Sequence, residues 1–295
     1  MISITNNRIT LSLSERGGAH VFFAASIEWL EARFSVIGKE AEGLRIEIQN
    51  VSMTYQSPEG EVEALRDVSF EVPDGAFVSI VGPSGCGKST LLSLLAGLEH
   101  PTRGAILLGG ERVERPSDRI GLMPQRDQLF EWRTVWRNVL LGPELRHEDT
   151  PERRAQIGRL LAQYALSGFA EKPPGALSGG MRQRCALIRT LAVEPEVLLL
   201  DEPFSALDYQ TRLTVSEDIS DIIRSAHKTA VLVTHDISEA ISMSDAVVVL
   251  THRPGTVRSI HTLEQFHGVS AMERRNMSAF QEMFHKIWGE LDVNV

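Results

Sequence analysis

Cysteine is nearly missing from this chain: Cys86 and Cys185 are the only two among 295 residues. Two are too few for a disulfide framework, and a reducing compartment is the natural setting. Long apolar runs are missing as well. Crossing a bilayer takes roughly 18 to 20 consecutive apolar residues. The nearest candidates are Val21–Ala25, cut short by Ser26 and Glu28, and Leu91–Leu98. The N-terminus lacks the basic start and sustained apolar core of a secretory signal. Positive charge is in deficit too: 30 Lys and Arg face 39 Asp and Glu, for a formal net charge of −9. That argues against a nucleic-acid partner, which calls for a basic face. It leaves a nucleotide open, because a phosphate cradle is local and can sit in an acidic protein. Internal repeats and low-complexity segments are absent. What remains, 42% hydrophobic and 23% charged residues, is the composition of a globular chain long enough for a large core.

Residues 1–43 carry no strong pattern. Ile27, Leu30 and Phe34 have helical spacing, but the expectation is a poorly ordered N-terminal extension. Regular patterning starts at Leu44, so the folded domain is expected over 44–295. Leu44, Ile46 and Ile48 alternate with polar residues as a half-buried strand does, and Val51, Met53 and Tyr55 continue after a break at Asn50. Ser57–Gly60 reads as a turn and Ala64–Val72 as a further strand. Short apolar runs at Phe77–Val81, Val197–Leu200 and Ala230–Thr234 end at glycine, charge or polar residues, with helical sequence around them. This is the pattern of an α/β protein with a largely parallel sheet, whose ligand lies beyond the carboxyl ends of the strands. Helix Lys88–Leu98 follows the first run. Between about 126 and 193 strand signals vanish, and Thr134–Leu141, Pro151–Tyr164 and Met181–Leu191 read as helices of an inserted helical subdomain. A turn at Arg253–Gly255 precedes a tail, helical from about 270 to 295, with Phe280, Phe284, Ile287, Trp288 and Leu291 on one stripe expected to pack on the core.

Three strings carry chemistry. Gly82-Pro83-Ser84-Gly85-Cys86-Gly87-Lys88-Ser89, followed by Thr90, is a complete G-x-x-x-x-G-K-S phosphate loop between a buried strand and a helix. Its glycines let the backbone turn and expose N–H groups, which join the following helix N-terminus in facing phosphate oxygens. Lys88 reaches β- and γ-phosphates, and Ser89 offers a hydroxyl to Mg²⁺. ATP and Mg²⁺ are the expected ligands. The second string, Val197-Leu-Leu-Leu-Asp201-Glu202, ends a buried strand on two acids. Asp201 is expected to bind Mg²⁺ or its water, and Glu202 to polarise an attacking water. The third, Leu177-Ser178-Gly179-Gly180-Met-Arg-Gln-Arg184, opens a helix with two glycines and a Ser178 cap.

Together these strings resemble the ATP-binding cassette (ABC) proteins, and specifically their importer-type ATPases; the third is similar to that family's signature. The resemblance runs from Leu44 to the end of the chain. It implies a P-loop core with a mostly parallel sheet, an antiparallel β subdomain and an inserted helical signature subdomain. It also implies roles for residues that are ordinary alone. Tyr55 resembles the aromatic that stacks on adenine. Gln125, in Met-Pro-Gln, resembles the glutamine that senses Mg²⁺ and nucleotide. Asp208, in Ser-Ala-Leu-Asp, resembles an inter-subunit loop, and His235 the histidine at the γ-phosphate. The other eight histidines show no metal-ligand spacing. Residues 126–139, 201–207 and the Arg253-Pro-Gly255 turn are closest to the nitrate, sulfonate and taurine importer group, from which Glu131 departs, since proline is usual there.

The resemblance implies a homodimer with ATP sandwiched between the phosphate loop of one copy and Ser178, Gly179 and Gly180 of the other. It further implies transmembrane permease subunits, an extracytoplasmic solute-binding protein acting through them, and a peripheral position on the cytoplasmic face of the membrane. A cytosolic ABC ATPase of DNA or ribosomes fits less well, because no heptads run between Lys88 and Ser178 and one cassette is present, not two. An exporter with its own membrane domain lacks the apolar spans. A cassette of metal-cluster assembly remains an alternative.

Overall fold

The computed structural model describes residues 2–5, 8–11, 44–58 and 60–292. Residues 1–40 and 41–295 are separate units. In the first, where the sequence showed no strand signal, β1 (Ile2–Thr5) and β2 (Arg8–Leu11) pair as an antiparallel hairpin. The helical spacing at Ile27, Leu30 and Phe34 lies outside the described residues.

In the second unit, β3 (Ile46–Ser57) and β4 (Gly60–Val72) form a long hairpin closed at the expected turn, Ser57 opposite Gly60. The expected break at Asn50 is a register shift inside one strand rather than an end, with Asn50 at φ 49°. An extra residue there keeps both Ile48 and Val51 buried on the core face. With β6 (Arg103–Leu108) and β7 (Glu111–Arg112) this hairpin makes a four-stranded antiparallel sheet, ordered β4-β3-β6-β7.

The second sheet is six-stranded, ordered β12-β11-β5-β10-β9-β8. Its members are β5 (Phe77–Val81), β8 (Ile120–Met123), β9 (Val197–Asp201), β10 (Thr229–Val233), β11 (Ala246–Leu250) and β12 (Val257–Thr262). All neighbours are parallel except β12, which runs antiparallel at the edge. Strands β5, β10 and β11 are buried at every residue, as continuous apolar runs in a covered parallel sheet are.

Helix α1 (Lys88–Leu95) stops three residues before the expected Leu98. Gly97, at φ 69°, lets Leu98 N–H bond Ser93 O at 3.0 Å and Gly97 N–H bond Leu94 O at 3.1 Å, a Schellman closure that leaves Leu98 exposed. Among the described residues no strand lies between 124 and 196. The expected helix at Thr134–Leu141 is two short ones, α2 (Val135–Val139) and α3 (Leu141–Leu145). The break falls at Leu140; Pro143, which has no N–H to offer the Val139 carbonyl, sits in the first turn of α3, where a missing donor is tolerated. After α4 (Pro151–Gln163), α5 (Gly179–Leu191) starts at its cap Ser178. These helices share a core around Val135, Val139, Ile157, Leu161, Cys185 and Ile188.

Helix α6 (Tyr209–Ser225) covers the sheet through Val215, Ile219, Ile222 and Ile223. Helices α7 (Ile237–Met243), α8 (Ala271–Arg274) and α9 (Ser278–Asp292) complete the chain. In the tail, Phe280 and Ile287 are buried as expected, but Trp288 is 54% exposed. It stacks on Phe284 at 6.0 Å between centroids, so the stripe is only partly packed.

Candidate functional site

The parallel strands deliver the predicted residues to one edge. The phosphate loop follows β5, Gln125 follows β8, Asp201 ends β9 with Glu202 directly after it, His235 follows β10 and the Arg253–Gly255 turn follows β11. Their strands are neighbours, so these segments meet beyond the carboxyl ends of the sheet.

The phosphate loop is buttressed by backbone. Gly87 caps α1 at φ 101°, and a Cβ there would meet Leu65 Cδ2 at 2.6 Å and Ala64 O at 2.9 Å. A Cβ on Gly255 would stand 2.1 Å from Cys86 O. Gly255 N–H donates to Ala64 O at 2.9 Å, and Arg66 N–H to Gly255 O at 2.9 Å. Strand β4 and the Arg253–Gly255 turn therefore clamp the loop from outside. Lys88 Nζ donates to Gly82 O at 2.8 Å and Pro83 O at 3.0 Å. Cys86 is fully buried, and burial pushes its thiol up.

A cleft of about 640 Å³ is lined by Tyr55, Ser84, Gly85, Gly87, Lys88, Ser89, Thr90, Glu202 and His235. Val62, Ala64 and Arg253 line it too, and no sequence signal placed them at the site, although Arg253 belongs to the turn that resembles the importer group. They reach it because β4 and the last turn fold against the loop, which only the tertiary structure reveals. Tyr55 OH donates to Glu99 Oε2 at 2.5 Å, leaving its ring as part of the wall. Burial, and then Glu99, push its phenol up.

At the mouth, Ser89 Oγ donates to Asp201 Oδ1 at 3.4 Å. Burial and the neighbouring Glu202 carboxylate push the Asp201 carboxyl up, against the Ser89 hydroxyl and the Lys88 charge. Glu202 sits at φ 42°, a left-handed conformation costly for a residue with a Cβ, and its N–H donates to Val233 O at 2.8 Å. Its Oε2 lies 3.1 Å from His235 Nδ1 and accepts from Gln125 Nε2 at 3.4 Å. Gln125 also donates to Ser205 Oγ at 3.3 Å. One carboxylate oxygen is thus shared by two predicted residues from neighbouring strand ends.

Ser178, Gly179, Gly180 and Asp208 are not among the residues lining this cleft. Ser178 and Gly180 line a separate hollow of about 290 Å³ with Met181, Arg184, Gln210, Thr211, Thr214 and Val215. Ser178 Oγ accepts Met181 N–H at 3.4 Å, and Asp208 Oδ1 accepts Thr211 N–H at 3.0 Å. Each caps its helix, and the two helix starts share one surface. The segment after Gln125 is bound to α5. Arg182 pairs with Asp127 at 2.8 Å and with Glu131 at 2.8 Å, while Arg189 donates to the carbonyls of Gln128 and Asp127. Glu131, the departure from the importer pattern, is therefore a partner of the signature helix.

The ABC transporter family profile matches residues 65–205. The uncharacterized ABC transporter ATP-binding protein YtlC of Bacillus subtilis strain 168 is 44% identical over 248 residues, 84% of this chain and 95% of that one. This chain belongs to the ATP-binding subunits of ABC transporters. The taurine import ATP-binding protein TauB of Jannaschia sp. strain CCS1 is 41% identical over 217 residues, 73% of this chain and 81% of that one. Among solved structures, the bacterial ABC transporter cassette MJ0796 in its dimeric form is 33% identical with a TM-score of 0.64, covering 74% of this chain and 98% of that one. A second structure of MJ0796, bound to ADP and phosphate after hydrolysis, is 31% identical with the same TM-score and coverage. The ABC subunit described here is an ATPase that binds and hydrolyses ATP, on a P-loop core with an added antiparallel sheet. No helix among its described residues is long and apolar enough to cross a membrane.

Proposed function

We propose that this chain energises solute uptake by an ABC importer of the taurine, sulfonate and nitrate type, as a homodimer seated on separate permease subunits at the cytoplasmic face of the membrane. An extracytoplasmic binding protein would deliver the solute. The ATPase unit is 44–295, and the extension 1–43 takes no part in catalysis. The observation that carries the mechanism is the convergence of Gln125 and His235 on one oxygen of Glu202, at the mouth of the phosphate-loop cleft.

In this reading the N–H groups of Ser84–Thr90 and the Lys88 ammonium hold the phosphates, and Tyr55 flanks the adenine. Glu202 orients and polarises the attacking water; His235 and Gln125 hold its carboxylate in register. The oxygen donors fit Mg²⁺: a hydroxyl and one carboxylate 3.4 Å apart, Ser89 and Asp201, with Gln125 on the neighbouring Glu202. When bound, Mg²⁺ supplies neutralisation of phosphate charge.

The separation of Ser178, Gly179, Gly180 and Asp208 from the cleft supports a site finished by a second copy. The partner's signature helix would present its N-terminal N–H groups to the γ-phosphate, and loss of that phosphate would open the dimer. The ties from Arg182 and Arg189 to residues 127–131 would carry this motion to the permease. Glu202→Gln tests the assignment. The variant should retain ATP, accumulate as a dimer by size-exclusion chromatography and hydrolyse roughly 10²–10⁴-fold more slowly. Normal steady-state hydrolysis would remove Glu202 from its role.

A further inference from the structure

Arg212, on the first turn of α6, reaches three places. Its Nη2 donates to the carbonyl of Leu207, just before Asp208, at 3.0 Å. Its Nη1 lies 3.5 Å from Oδ2 of Asp236, the residue after His235. Its Nε lies 3.7 Å from Glu239 Oε1, is buried and makes no hydrogen bond. Glu239 is itself only 4% exposed, and its Oε2 accepts the Thr234 hydroxyl at 2.6 Å. The same Thr234 Oγ1 accepts Asp236 N–H at 3.1 Å, and Asp236 Oδ1 caps α7 through Ser238 and Glu239 N–H. His235, between Thr234 and Asp236, meets Glu202. An unbroken string of contacts therefore runs from the loop before Asp208 to the carboxylate at the cleft.

Burying a carboxylate against an arginine Nε that makes no hydrogen bond is a poor way to gain stability, since apolar groups of like volume do as well or better. The arrangement makes sense where two loops must be held in register. The open Nε–Oε1 contact is also informative. A shift of the α6 start by less than about 1 Å would turn the ion pair into a hydrogen bond.

We propose that Arg212 is a positioning residue that ties the Asp208 loop to the His235 loop, so that docking of a second copy against Asp208 sets the His235–Glu202 contact used in hydrolysis. This rests on the composite-site reading above. Glu239 is the second half of the device. Burial pushes its carboxyl up to about 7, and the titratable and charged groups facing it are Asp236 and His235 from its own loop, Arg212 from α6 and Arg275 from the C-terminal segment. Below that pH the carboxyl is neutral and Arg212 loses an anionic partner; above it the pair is intact.

The test is steady-state ATP hydrolysis by the full chain carrying Arg212→Gln, Arg212→Lys, Glu239→Gln or Ser178→Arg, with thermal unfolding of each. Arg212→Gln should lower kcat roughly 10- to 100-fold, as displacement of a reacting group does, with little change in KM for ATP. Arg212→Lys, which keeps the charge, should recover part of the loss. The fall of wild-type kcat as pH drops through about 7 should be absent in Glu239→Gln. Wild-type kcat in Arg212→Gln overturns the proposal, and so does a loss shared by kcat, ATP affinity and Tm. If Ser178→Arg is inactive while Arg212→Gln is normal, the positioning role alone fails. If Ser178→Arg turns over normally, the composite site fails with it.

Discussion

Arg182, on the signature helix, grips Asp127 through two hydrogen bonds, Nε to Oδ2 at 2.8 Å and Nη2 to Oδ1 at 3.1 Å. The fork matches the carboxylate, and both side chains are largely shielded from solvent. The loop after Gln125 and the helix after Ser178 are thereby one mechanical body.

That pair sets a pH dependence of stability. Burial pushes the Asp127 carboxyl up, but the Arg182 hydrogen bonds, the Leu129 N–H and the charges of Arg182 and Arg189 outweigh it and hold the group below its usual range. Depression in the folded state means the stabilisation is complete above the unfolded value, about 3.9, and is lost as pH falls through the folded one. Asp127→Asn should cost about 1.5–3 kcal/mol at neutral pH. The gap between variant and wild type, followed by denaturant unfolding, should close in strong acid. A gap that persists unchanged there would show that the charge is not its source.

Lys88→Ala should weaken ATP binding itself, not only turnover. In the proposed site the ammonium, held by the Gly82 and Pro83 carbonyls, would face charge present in bound ATP as well as in the transition state. Equilibrium titration with labelled ATP reads the effect, and an unchanged affinity would place the phosphates elsewhere.

Gly255→Ala should damage nucleotide binding from a distance. The added methyl carbon would stand 2.1 Å from the Cys86 carbonyl, so the phosphate loop or the turn has to move. The expected result is a folded protein with weaker ATP affinity. A variant that binds ATP normally would show that the clamp yields without disturbing the loop.

The sequence made some of this visible and hid the rest for physical reasons. Strand Phe77–Val81, the Ser178 cap of its helix and the acids ending Val197–Asp201 were legible because apolar run, turn and cap are local. The end of α1 is not legible in the apolar pattern, which Leu98 continues while Gly97 ends the helix through its backbone. The stripe's helical spacing predicts a buried Trp288, yet only Phe280 and Ile287 of that stripe are fully covered. Val62, Ala64 and Arg253 at the cleft, and the tie of Glu131 to Arg182, depend on partners more than 50 residues away or on another sheet. No local pattern encodes them.

The central claim is that each ATP is held by one copy's phosphate loop and finished by the other copy's Ser178. It is tested most directly by mixing two variants, Lys88→Ala and Ser178→Arg, each inactive as a homodimer. In a mixed dimer one composite site carries both lesions and the other carries neither. Nucleotide trapping should then reappear in the mixture at about one site per mixed dimer, where each variant alone traps none. A mixture that stays as inert as its parents, with mixed dimers shown to form, would contradict the shared site.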